Sequence, residues 1–126
     1  MKKILLLFII LCIPAHAIKA VTQQEHNNFM KSLKLSKKQT QKIEIIESNY
    51  NKKNVELNSM ILLKNMQIAQ LRTSQSNYGY IGELNNEIKA LEKRRYDYNM
   101  QKNKDILATL NWIQKAKYRE YISRIY

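Results

Sequence analysis

Apolar residues recur at intervals of three, four and seven positions along much of the chain. One series comprises Ile43, Ile46, Tyr50, Leu57, Met60 and Leu71, and a second comprises Ile81, Leu84, Ile88, Leu91 and Tyr98. Such intervals place the apolar residues on one face of an α-helix. No useful length of the chain alternates apolar and polar residues with the period of two that is typical of a β-strand. The pattern therefore predicts an all-α fold.

Local sequence signals predict the bounds of four helices. A capping box at residues 22–25 begins a short first helix. The second helix is expected to run from residue 37 to about residue 73. The third carries the series that starts at Ile81 and ends somewhere in residues 103–109, and Asn111 caps the fourth.

The segment between the two long helices contains both glycines of the chain, Gly79 and Gly82, together with Ser74 and Asn77. Glycine and small polar residues in a cluster are typical of turns. Residues 73–82 are therefore predicted to form the turn of a long antiparallel helical hairpin.

The first residues have the composition of a secretory signal peptide. Two lysines precede an unbroken apolar run at residues 4–13, and alanines follow at 15 and 17. We expect cleavage after Ala17, with Ala20 as a lesser alternative. A retained membrane anchor is the other interpretation, but the run is shorter than the ~20 residues that a span needs. Residues 18–126 would then form one exported helical domain.

The chain is strongly basic, since 22 Lys and Arg residues against 10 Asp and Glu residues give a formal net charge of +12. The only cysteine, Cys12, lies in the predicted signal peptide, so a disulfide is not expected in the mature chain. In an exported protein, this charge favours acidic protein surfaces, unfolded chains or anionic lipid as partners, and not nucleic acid.

A short motif occurs twice, as LSKKQ at residues 35–39 and as LNWIQ at residues 110–114. In each copy, the polar second residue can accept a hydrogen bond from the backbone N–H three positions later, and the glutamine can reach back to the N–H of that polar residue. The leading leucine would close the turn from outside. The motif residues are Leu35, Ser36, Gln39, Leu110, Asn111 and Gln114.

The two copies resemble the paired Leu-Thr-x-x-Gln motif of the Spy/CpxP family of periplasmic proteins. The chain departs from that motif at Ser36 and Asn111, which replace threonine, and at Trp112 and Ile113, which replace a common Pro-Glu pair. The resemblance implies a curved antiparallel homodimer with a basic concave face that carries apolar patches. It also implies an ATP-independent chaperone of the envelope-stress response. Some members instead damp the periplasmic domain of a sensor kinase, and others bind metal.

The candidate client-binding residues combine positive charge with tyrosine, which suits unfolded or acidic envelope proteins. They are Lys52, Lys53, Lys89, Lys93, Arg94, Arg95, Tyr96 and Tyr98, with Lys42, Lys64 and Arg72 as further candidates. For any single lysine, a solvated helix face is the alternative. Arg95 interrupts an otherwise apolar stripe, so we expect it at an interface or on a binding face.

The remaining residues suggest neither catalysis nor a cofactor. His26 is the one histidine beyond the predicted signal peptide. Glu25 is adjacent to it instead of one helical turn away, so the two side chains do not share a helix face. A metal site would therefore have to form across a dimer. Tyr118, Tyr121 and Tyr126 are expected in the core or at a dimer contact, and Trp112 is expected to pack between the third and fourth helices. A coiled-coil adaptor and a membrane-surface binder stay open as alternative functions.

Overall fold

The computed structural model describes residues 22–73 and 78–125, and these residues form four α-helices and no β-strand. The helices are α1 (Gln23–Ser32), α2 (Lys37–Leu71), α3 (Tyr78–Thr109) and α4 (Trp112–Ile125). The all-α prediction is therefore confirmed for the described part of the chain. The predicted signal peptide, residues 1–17, lies outside it. Among the described helices, none is long and apolar enough to cross a membrane.

The chain divides into two compact units. The long-helix unit, Lys37–Leu110, contains α2 and α3. The short-helix unit comprises Met1–Ser36 and Asn111–Tyr126, and its described residues contain α1 and α4.

In the long-helix unit, α2 and α3 lie side by side and antiparallel. Hydrogen bonds between them join Asn54 to Asn99, Asn58 to Arg95 and Lys64 to Glu87, so that residue numbers rise along one helix as they fall along the other. Six buried residues of this unit, Leu57, Ile61, Ile68, Leu84, Ile88 and Leu91, form one cluster. Their intervals, four and seven on α2 and four and three on α3, are those of an antiparallel coiled coil.

Polar side chains also form hydrogen bonds between α2 and α3. Asn54 Nδ2 donates to Asn99 Oδ1 at 2.9 Å, and Arg95 Nη1 donates to the side-chain oxygen of Asn58 at 2.7 Å. Lys64 is paired with a glutamate of α3. Such pairs hold one register, because a slip would leave a partly buried polar group without its partner.

The predicted turn was too long. It covered residues 73–82, but α3 already begins at Tyr78, so Gly79 and Gly82 are helical and neither has a positive φ. Helical glycine costs about 1 kcal/mol relative to alanine, and the packing of Ile81 and Leu84 against the core cluster offsets that cost. Residues 74–77 lie outside the described part of the chain.

The short-helix unit is held together by aromatic side chains. α1 begins at the predicted capping box, in which Glu25 N donates to Thr22 Oγ1 at 3.1 Å. Phe29 of α1 stacks on Tyr121 of α4 with a centroid distance of 3.9 Å and an interplanar angle of 10°. Tyr118 lies next to this pair and is only 2% exposed, so its predicted place in the core is confirmed.

Two isoleucines of α2 provide a matched test of the burial pattern. Ile43 is 3% exposed and Ile45 is 62% exposed. We expect Ile43→Ala to lower the free energy of unfolding by about 2–5 kcal/mol, because it leaves a cavity. Ile45→Ala should change it by less than about 0.5 kcal/mol. Denaturant unfolding followed by circular dichroism measures both, and equal losses would contradict the described orientation of α2.

Candidate binding surfaces

The second motif copy forms the predicted capping box at the start of α4. Asn111 Oδ1 accepts a hydrogen bond from Gln114 N at 2.9 Å, and Gln114 Oε1 accepts one from Asn111 N at 3.0 Å. Gln114 is only 7% exposed, and its Nε2 also donates to the carbonyl oxygen of Leu33 at 3.1 Å. Leu33 is the C-cap of α1, so this amide satisfies a carbonyl that has no partner within its own helix.

The first copy makes an equivalent contact within the long-helix unit. Gln39, near the start of α2, donates from Nε2 to the carbonyl oxygen of Thr109 at 3.0 Å. Thr109 is the last residue of α3 and directly precedes the second motif copy. Leu33, bonded by Gln114, likewise lies just before the first copy. Each motif glutamine thus binds the helix end that precedes the other copy, which the sequence alone did not indicate.

The structure brings Lys53 together with two tyrosines. Its Nζ lies 4.9 Å from the ring centroid of Tyr98 and 5.4 Å from that of Tyr50, at distances typical of cation–π contacts. The Tyr50 hydroxyl donates to Asp105 Oδ2 at 2.9 Å. Burial, and then this hydrogen bond, raise the pKa of Tyr50 above its usual value of 10.0, so the phenol stays protonated and keeps donating at neutral pH.

The other predicted basic residues are spread over several surfaces. Arg95 lies beside α2, where it donates to Asn58. Arg94 lines a shallow pocket beside the ion pair of Lys64 and Glu87. Lys52 is exposed and, from its position in the α2 repeat, faces away from α3.

We use the term outer face of α3 for Lys89, Lys93, Tyr96 and Met100. These residues follow one another at intervals of four, three and four, and all are exposed, so they form a continuous stripe. Lys93 also pairs with Asp97 at 3.1 Å, an exposed contact of little energetic weight. Along this stripe, two cations are followed by two large, partly apolar side chains.

A second apolar stripe lies on α2, away from its packing face. We call it the outer seam of α2, and its members, all exposed, are Val55, Ser59, Leu62, Met66 and Ala69. Leu62, for example, is 60% exposed. This seam was not predicted, because α2 was expected to have a single apolar face. A second repeat of four and three, visible in the sequence, was the signal that could have revealed it.

The predicted packing of Trp112 is wrong. Trp112 is 79% exposed, and its neighbour Ile113 is exposed as well. Both occupy the first turn of α4, whereas Gln114 and Tyr118 take up the buried side of that helix. Helical geometry turns Trp112 away from this side, so the residue faces solvent.

His26 contacts an aromatic residue, with Nδ1 lying 3.1 Å from the hydroxyl oxygen of Tyr121. Within residues 22–73 and 78–125, no group of three or more His, Cys, Asp or Glu side chains is arranged to hold a metal ion.

Comparison of the chain with protein-family models, with curated proteins and with solved structures found no match. The features that bear on its function are therefore its own surfaces: the outer face of α3, the outer seam of α2 and the exposed start of α4.

The two motif glutamines should differ in their effect on stability. Gln114→Ala removes a capping hydrogen bond and the partner of a buried carbonyl, so we expect the free energy of unfolding to fall by about 1–3 kcal/mol. Gln39→Ala removes a half-buried contact and should cost about 0.5–1.5 kcal/mol. Gln67→Ala, at an exposed position of α2, is the control and should leave stability nearly unchanged. If Gln114→Ala kept the wild-type Tm but abolished binding of clients, the motif would be a contact site instead of a structural one.

Proposed function

We propose that the chain is an exported, ATP-independent chaperone of the periplasm, related to the Spy/CpxP family, that holds unfolded or acidic envelope proteins. The observation that supports this most strongly is the outer face of α3, where Lys89 and Lys93 stand in one exposed stripe with Tyr96 and Met100. A protein that binds many unfolded chains needs a surface that recognises general properties of a chain instead of a particular shape.

The stripe can recognise two such properties of a client, its negative charge and its exposed apolar groups. The lysines act over a distance and speed the encounter with an acidic chain, an effect that salt screens over about 8 Å at physiological ionic strength. Tyr96 and Met100 then make short-range contacts with exposed apolar groups of the client. Methionine is flexible enough to fit side chains of different shapes. This division of roles requires neither catalysis nor a cofactor.

The proposal includes a homodimer formed by the outer seam of α2. A two-fold axis near Leu62 would pair two copies of the seam antiparallel, with Val55 opposite Ala69 and Ser59 opposite Met66. Each pair combines a larger with a smaller side chain, which helps two helices to approach closely. The segment from Leu57 to Leu71 contains a single charged residue, Lys64, so the seam can be covered at little electrostatic cost.

A charge-reversal experiment tests the client-binding role. Lys89→Glu with Lys93→Glu should slow the capture of an acidic unfolded client about tenfold at low salt, with helicity unchanged because both positions are exposed. Wild-type association should slow as salt rises, and dissociation should change less. Stopped-flow capture across a salt series measures these rates, and an aggregation assay without ATP shows whether the client is protected.

The control for this experiment is Lys37→Glu with Lys38→Glu, which makes the same change in net charge at exposed positions at the start of α2. It should slow capture much less than the change on α3. If both double variants and the wild type captured the client at equal, salt-independent rates, the steering mechanism would be wrong. Saturable binding of a single partner, without protection of unfolded clients, would favour an adaptor or a regulator of a sensor kinase.

The dimer is tested by placing a charge at the centre of the seam. We expect the wild type to have the mass of a dimer at tens of micromolar, and Leu62→Glu to have the mass of a monomer, because a two-fold contact would bring two carboxylates together. Ser48→Glu adds the same charge on the same side of α2, 14 residues earlier and outside the seam, and should stay dimeric. Light scattering that gave the monomer mass for the wild type would overturn this part of the proposal.

A further inference from the structure

The first turn of α4 presents two apolar side chains to solvent from a firmly anchored position. Gln114 bonds Asn111 in both directions and also bonds the backbone of Leu33, so the start of the helix is fixed. Trp112 and Ile113 extend outward from this anchored turn. Neither the capping box nor the core of the short-helix unit uses them, and a large exposed apolar pair is costly to hold in water.

The charged residues of α4 itself are almost all positive. Lys117 follows Ile113 by four positions and Arg119 follows Trp112 by seven, which places each cation on the same side as one apolar residue. α4 contains one acidic residue, Glu120, and it is neutralised by Arg124 at 2.6 Å. The first-turn N–H groups of α4 add the positive end of its helix dipole.

We propose that the start of α4 is a docking site for an anionic membrane surface. Tryptophan is enriched at the boundary between water and lipid because its ring is apolar and its N–H can donate to head groups. Insertion of Trp112 and Ile113 between the head groups would remove both side chains from water. Lys117 and Arg119 would at the same time lie level with the lipid phosphates.

The size of the patch favours a membrane over a folded protein. A specific protein interface buries about 800 Å² on each partner around a central apolar cluster. Here two large apolar residues stand at one end of a 14-residue helix, and the positions around them are charged or small. A membrane can be bound by such a minimal group, since many weak contacts of a chain with a formal net charge of +12 add up on a flat anionic surface.

The test uses the fluorescence of Trp112, which is the only tryptophan of the chain. Purified protein is titrated with vesicles of phosphatidylcholine alone or with added phosphatidylglycerol, and with brominated lipids that quench tryptophan on contact. We expect a blue shift and quenching with the anionic vesicles only, and a loss of both at high salt. Ile113→Ser should weaken binding while Trp112 still reports on it.

Charge variants distinguish membrane binding at this site from general electrostatic attraction. They also distinguish it from binding through the apolar run at residues 4–13, which all variants retain. Lys117→Gln with Arg119→Gln should weaken binding about thirtyfold, which corresponds to about 1 kcal/mol for each basic residue. The matched pair Lys89→Gln with Lys93→Gln removes the same charge from α3 and should have a much smaller effect. Circular dichroism checks that all variants stay helical.

Three results would overturn the proposal. In the first, anionic vesicles leave the emission of Trp112 unchanged. In the second, the two double variants lose affinity equally, which means that net charge alone is responsible. In the third, Trp112 becomes buried when protein concentration rises in the absence of lipid, or it becomes buried when an acidic protein is added although vesicles have no effect. The patch would then belong to a second copy of the chain or to a protein partner.

Discussion

Two side-chain amides that terminate helices are the contacts on which the rest of this structure depends. The last carbonyls of an α-helix have no partner within the helix, and a buried carbonyl without a partner costs about 1–3 kcal/mol. Gln39 satisfies the carbonyl of Thr109, and Gln114 satisfies that of Leu33. Outside the predicted signal peptide, the sequence contains neither proline nor cysteine, so neither a proline turn nor a disulfide fixes these helix ends. Both copies of the motif therefore have the same structural role, which is to donate a hydrogen bond to the last carbonyls of another helix.

The second constraint is the register between α2 and α3. If α3 moved by one residue along α2, each of its side chains would turn by about 100° relative to its partner. The pairs of Asn54 with Asn99 and of Asn58 with Arg95 oppose such a slip, because both would be broken. The same register decides which residues face outward. The outer face of α3 is accessible because Leu84, Ile88 and Leu91 face α2, so polar contacts inside the coiled coil also determine the surface proposed to meet clients.

The helices could be predicted because their signals are local. The capping box at Thr22 and Glu25, the motif around Asn111 and the spacing of apolar residues are each complete within a few turns of chain. The position of the turn was less accurate because glycine at 79 and 82 is compatible with a helix when neighbouring residues pack well. Side-chain exposure was harder to predict, since it depends on which neighbour covers each face. Trp112 was expected to pack because tryptophan usually does, although the expected core residues Tyr118 and Tyr121 lie on another side of α4.

The same reasoning explains why exposed apolar residues carry information in this fold. Two long helices packed against each other bury one stripe of residues on each helix. All the remaining positions of α2 and α3 are therefore near solvent. Polar residues suffice there for solubility, and they occupy exposed positions of α2 such as Lys52 and Glu56. The change to Leu62, Leu63 and Met66 further along the same helix has no role in packing against α3. The net positive charge of the chain disfavours its own aggregation through such apolar groups, while leaving them accessible to partners of opposite charge. Helices that combine high positive charge with discrete apolar stripes are therefore suited to reversible binding at their surface.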